Sequence, residues 1–137
     1  MGGKLQTQAG GEIDVGFATL SGATIVPGSI VNVLNGGTLA LAGRIANSGL
    51  ISALGSANQT GLAISGAVVL SGGGKVSLSP STNNLITSAA SCATLSNVNN
   101  TIAGAGFIGN LALVNGGTIN ANTALTLALG ADRKSVV

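Results

Sequence analysis

Two glycines, a polar residue, an aliphatic one and, two positions on, a second aliphatic or small residue recur four times along the chain. The copies are "GGEIDV" at 10–15, "GGTLAL" at 36–41, "GGKVSL" at 73–78 and "GGTINA" at 116–121. Weaker copies stand at "SGLISA" (48–53), "SGAVVL" (65–70) and "GAGFIG" (104–109), so the repeat has no strict period. Within the units Ile13 and Val15, Leu39 and Leu41, Val76 and Leu78, and Leu125, Leu127 and Leu129 are each two residues apart, which places each set on one face of a strand. The glycines supply turns because they accept positive φ, and the Asn and Ser of "LNGG", "ANSG", "LSGG" and "VNGG" tolerate turn conformations and bond local backbone. Glycine recurs too often, and a 3.6-residue apolar period is too scarce, for long helices. The chain is therefore read as many short strands.

Such strands could build a sandwich, a barrel or a β-solenoid. Composition separates them. The chain has 137 residues, 45% of them hydrophobic and 6% charged, enough for one ordered domain and too apolar for solvated disorder. Its aromatic residues are Phe17 and Phe107, with no Trp or Tyr, so the interior must consist of Ile, Val, Leu and Ala. A sandwich fills a core about 10 Å thick with large side chains, whereas the narrow bore of a solenoid suits small aliphatics stacked rung on rung. The expected fold is all-β, a parallel β-solenoid of about five or six irregular rungs, taking roughly 20 to 25 residues a coil. At about 4.8 Å a rung, it would be a rod on the order of 25 to 30 Å long.

The segment "NNTIAGAGFIGNLALVNGGTINAN" at 99–122 resembles the repeats of large secreted bacterial proteins, the autotransporter passenger domains and filamentous-haemagglutinin-like adhesins. In those repeats an aliphatic-Gly-x-Gly-x-Ile-Gly segment precedes a Leu-x-Leu-Val-Asn-x-Gly-x-Ile segment. The close match covers about a fifth of the chain, and the looser turn-strand pattern runs over residues 10–129. The resemblance implies a right-handed parallel β-helix that is exported and displayed on, or released from, a bacterial cell surface. It also implies surface glycans or proteins of a host or neighbouring cell as partners. Unlike a whole member of that family, the sequence carries neither an export signal nor a C-terminal outer-membrane barrel.

The start, "MGGKLQTQAGGEIDVG", lacks the apolar middle of a signal peptide, and Gln6 stands where myristoylation needs Ser or Thr. The end, "DRKSVV" at 132–137, breaks off the apolar alternation and equals the translation of GAT CGG AAG AGC GTC GTG, a string that resembles a common sequencing-adapter sequence. The expected division is thus an incomplete solenoid segment at 1–131 and a non-native tail at 132–137. With no run of about 18 uninterrupted apolar residues, membrane insertion of this segment is not expected, although mean hydropathy is +0.60.

Several motifs invite a chemical reading. The net charge of +2 comes from Lys4, Arg44, Lys75, Arg133 and Lys134 against Glu12, Asp14 and Asp132, scattered without the basic stripe or stacking aromatics that nucleic acid requires. No His is present, which excludes Ser-His-Asp and His-metal chemistry for this chain. Cys92, alone in "SAASCATLS", has no imidazole to activate it and reads as a buried inert thiol. The Gly104–Gly109 stretch satisfies GxGxxG, but "NLALVNGG" follows where a dinucleotide site needs a helix. Gly72-Gly73-Gly74-Lys75 resembles part of a phosphate loop, yet Val69 and Val76 occupy two required positions, so it reads as a turn with an exposed lysine.

Glu12 and Asp14 should point from one strand face into solvent, without the further acids and cations of a polysaccharide-cleaving cleft or a calcium site. Asn58-Gln59-Thr60 and Asn99-Asn100-Thr101 are glycosylation triplets, read here as turn or ladder residues. Thr38, Thr118, Thr123 and Thr126 could line a flat ice-binding face, but a Thr-x-Thr on every rung is missing. The expected catalytic, cofactor-binding and metal-ligating sets are therefore empty. The expected function is that of a non-enzymatic, structural and adhesive segment of a bacterial surface or secreted repeat protein. A fragment of a polysaccharide-degrading β-helix enzyme, or of a phage tail fibre, is the alternative.

Overall fold

Ile13, Val31, Ile51, Val76, Ile102 and Ile119 stand one above another in consecutive register pairs, a column of β-branched side chains along the interior. β-Branched residues suit this place because their stiff χ1 packs against the neighbours on a pleated surface. The column belongs to a computed structural model that describes residues 3–90 and 93–130. Those residues form an all-β, parallel β-solenoid of about six coils, as the turn-strand pattern predicts.

The strands are β1 (Gly3–Leu5), β2 (Ile13–Ser21), β3 (Ala23–Ile25), β4 (Ile30–Asn47), β5 (Leu50–Ala53), β6 (Thr60–Ser71) and β7 (Lys75–Leu78). They continue with β8 (Asn84–Ser88), β9 (Thr94–Asn97), β10 (Thr101–Ala103), β11 (Gly106–Ile108), β12 (Ala112–Asn115), β13 (Thr118–Asn120) and β14 (Leu127–Leu129). Parallel pairing sorts them into three faces. Face one stacks the start of β2, the start of β4, β5, β7, β10 and β13. Face two stacks the end of β2, the middle of β4, the start of β6, β8, β11 and β14. Face three stacks β1, β3, the end of β4, the end of β6, β9 and β12. Among the described residues, β4 alone runs unbroken through all three faces.

The bore is aliphatic. Leu39, Leu62, Ile86 and Ile108 share a buried row on face two, and Val68, Leu95 and Leu113 one on face three. No Phe belongs to this core, as composition requires. Burying rows of this kind is the main stabilising term, at about 25 cal/mol per Å² of apolar surface.

The recurrent glycine motif marks corners, not coils. "GGEIDV", "GGKVSL" and "GGTINA" open strands of face one, whereas "GGTLAL" opens a segment of face two. "SGAVVL" lies on face three and "GAGFIG" on face two. Three corners per coil explain the irregular intervals. Coil length varies for the same reason: the interior column advances from Ile102 to Ile119 in one coil and from Val76 to Ile102 in another.

Two expectations need correction. Leu125 does not join Leu127 and Leu129 on a strand face; β14 begins at Leu127, and the exposed Leu125 lies in the preceding turn, its N–H bonded to Thr123 Oγ1. Asn47 of "ANSG" also does more than tolerate a turn, as do three asparagines that flank no glycine. Asn47, Asn84, Asn97 and Asn100 are buried, and their amides bond between coils. Cys92 and the tail at 132–137 lie outside the described residues.

Candidate functional site

All described ionisable side chains lie off face two. Glu12, Asp14 and Lys75 belong to face one, and Lys4 and Arg44 to face three. The outward residues of face two are therefore uncharged. One outward row runs Phe17, Thr38, Gly61, Leu85, Phe107 and Ala128, and the next runs Thr19, Ala40, Ala63 and Thr87.

Both aromatic residues of the chain thus occupy one row. Phe17 is 81% exposed, far beyond what a core residue would show. The corner at Gly16 turns it outward: Val15 pairs with Val33 on face one, whereas Phe17 pairs with Thr38 on face two, so the alternation restarts across the glycine. Phe107, four rungs further along, is half-buried, and its ring lies against Gly109 and Gly130. A flat ring on paired glycines covers backbone that no side chain protects. At about 4.8 Å a rung the two phenylalanines are roughly 19 Å apart.

Midway between them is a hollow of about 190 Å³, open to solvent and lined by Thr38, Gln59, Thr60, Gly61, Leu62, Ala63, Leu85 and Thr87. Gly61 lies buried in its lining, and no side chain is permitted there, since a Cβ would collide with the Leu85 carbonyl. The Thr60 hydroxyl is engaged, accepting from Gly36 N at 2.7 Å and donating to Asn58 O at 3.1 Å. Thr38, Thr87 and Gln59 make no side-chain hydrogen bond among the described residues, so two hydroxyls and an amide ring an apolar floor of Leu85 and Ala63.

A wall flanks this face at the corner from face one. Residues 34–37, 54–59 and 79–83 of successive coils stack there through polar ladders. Asn35 Oδ1 accepts from Ser56 N at 2.9 Å and Asn58 N at 3.1 Å, and Ser56 O accepts from Asn83 Nδ2 at 2.7 Å. Ser79 Oγ donates to Gly55 O at 2.7 Å. These bonds order corner segments that would otherwise carry free backbone groups.

The other sequence candidates fall elsewhere. Glu12 and Asp14 are exposed on face one, and Asn32 Nδ2 donates to both, to Glu12 Oε1 at 2.7 Å and to Asp14 Oδ1 at 3.1 Å. Among the described residues no group of three or more His, Cys, Asp and Glu side chains comes together. Gly104–Gly109 passes into β11, a strand, and Gly72–Gly74 forms a corner leading into β7 with Lys75 exposed. Thr38 lies on face two, Thr118 on face one, and Thr123 and Thr126 in the turn before β14, so these threonines do not share a face. No helix among the described residues is long and apolar enough to cross a membrane.

Sequence reasoning missed the row on face two. Its signal was present: Phe17 stands directly after a glycine corner, which shifts the alternation. Comparison with known proteins adds no relative, for no family model, no curated protein and no solved structure matches the chain.

Proposed function

We propose that the chain is a structural and adhesive segment of a bacterial cell-surface or secreted repeat protein, and that it performs no catalysis. The observation that carries this reading is the uncharged face two, which holds two aromatic rings on a rigid parallel stack while every described ionisable group lies on the other faces. Solenoids offer long side surfaces whose residues repeat at the rung spacing, which suits contact with extended or repetitive partners. Placement on strands, not on mobile loops, keeps such a surface preorganised and lowers the ordering cost of binding. The exposed carboxylates of Glu12 and Asp14 both accept from the amide of the buried Asn32 and have no cation between them, which favours a solvated patch over acid-base work.

The test is retention under flow. The full chain, tethered by one end to micrometre beads, is run over surfaces coated with extracellular-matrix protein, mucin or bacterial capsular polysaccharide. Adhesion predicts arrest of the beads on at least one coating, whereas beads carrying an unrelated solenoid roll through. Depolymerisation of a polysaccharide coating by the chain would replace this reading with an enzymatic one.

A further inference from the structure

We infer that face two binds a neutral, extended glycan laid along the solenoid axis, with Phe17 and Phe107 as ring-stacking platforms and the hollow over Gly61 receiving a sugar between them. The inference rests on the adhesive reading above and names its ligand class.

The chemistry of the row selects the ligand. Phenylalanine faces offer no hydrogen bond, and they pack against the apolar C–H faces of pyranose rings as they do against other flat partners. A sugar also presents hydroxyls around its edge, which need donors and acceptors that are not already committed. Thr38, Thr87 and Gln59 are such groups, each without a side-chain bond among the described residues. The hollow, at about 190 Å³, is smaller than the roughly 300–1,000 Å³ of sites that enclose drug-sized ligands, and it is open, which fits one ring of a longer chain.

Charge narrows the class further. Anionic polysaccharides would need lysine or arginine, and the described Lys4, Arg44 and Lys75 belong to other faces. The row repeats at about 4.8 Å a rung, so an extended chain laid along the axis meets its residues at regular intervals. The wall at 34–37, 54–59 and 79–83 borders the track and brings Gln59 to its edge.

Affinity electrophoresis of the full chain tests this, in gels cast with hydroxyethylcellulose, galactomannan or soluble starch, and with polygalacturonate as the anionic comparison. The expected result is retardation by at least one neutral polymer and none by polygalacturonate. Phe17→Ser, at a side chain too exposed to support the fold, should weaken that retardation about fivefold, the size of one lost aromatic contact. Thr87→Lys, on the rim of the hollow, should weaken it as well, while Arg44→Ser on face three leaves it unchanged. Circular dichroism confirms that each variant keeps its strands.

Retardation that survives both Phe17→Ser and Thr87→Lys would overturn the assignment to face two. Retardation by the anionic polymer alone would overturn the neutral class. If no polysaccharide retards the chain but beads still arrest on protein coatings, the glycan inference fails and the adhesive reading stands. If no polysaccharide retards the chain and beads arrest on nothing, both fail. A dimer in light scattering that Phe17→Ser dissociates would make face two a self-interface and also overturn the inference.

Discussion

The side-chain amide of Asn47 donates to the side-chain carbonyl of Asn100 at 2.8 Å, although the intervening coil separates them. The bond is made across the corner Gly72–Gly74, where a Cβ on Gly72 or Gly74 would collide with the Asn47 backbone. Each amide is otherwise satisfied. Asn47 Nδ2 also reaches Lys75 O at 3.1 Å and its Oδ1 accepts from Gly49 N at 3.1 Å, while Asn100 Nδ2 donates to Ser71 O at 2.8 Å. Asn97 extends the network, donating to Asn100 O at 2.9 Å and Asn115 Oδ1 at 2.8 Å. Removing one partner leaves buried groups unpaired, so Asn100→Ala should lose about 1–3 kcal/mol in urea denaturation. Asn99→Ala, at its exposed neighbour, forfeits the bond to Gly73 N at 3.0 Å and should lose less.

Glycine substitutions should divide by what a Cβ would meet. Gly104 has φ +128° and a Cβ there would strike the Leu78 carbonyl, so Gly104→Ala should abolish soluble folded protein in an expression and gel-filtration assay. Gly66 has φ +65° with open space around it. Gly66→Ala should therefore fold, destabilised by only about 1–2 kcal/mol of left-handed strain.

Ser88 occupies the interior row that continues from Leu41 and Ile64, and its hydroxyl is buried with no hydrogen-bond partner among the described residues. A hydroxyl stranded in an aliphatic bore costs stability. Ser88→Ala should raise the thermal midpoint, by a stabilisation of about 1 kcal/mol. A fall in the midpoint would mean that the hydroxyl is bonded after all.

Inside and outside should be separable by truncation. Ile64→Ala opens a void at the centre of the bore and should lose about 2–5 kcal/mol. Phe17→Ser removes a larger side chain from the surface and should change stability by less than about 0.5 kcal/mol. Parallel urea titrations of the two variants check the contrast.

The bore was legible because alternation within a strand survives in the chain: Ile13 and Val15, or Val76 and Leu78, declare one face whatever surrounds them. Corners obscured the rest. A glycine such as Gly16 lets the chain turn between faces and restart its phase, so Phe17 falls outside although it stands two residues from the inward Val15. Asparagine hides for a different reason. Beside glycine it reads as a turn residue, and only the stacking of coils reveals that Asn47 satisfies the carbonyl of Lys75, on a rung distant in sequence. The candidate row was invisible in the same way, because Thr38, Gly61 and Leu85 become neighbours only through register.

The unbroken passage of β4 through three faces has a mechanical consequence. Backbone bonds between coils run along the rod, so a pull on its ends loads them in line and peels coils away one after another. The coils built from β9 to β14 are held by strands of three or four residues and should yield at lower force. The coil formed by β4 is clasped by β2 and β3 on one side and by β5 and β6 on the other, with no loose segment at which to begin peeling. Under tension it would act as the clamp of the segment, the place where lengthening pauses before the rod gives way.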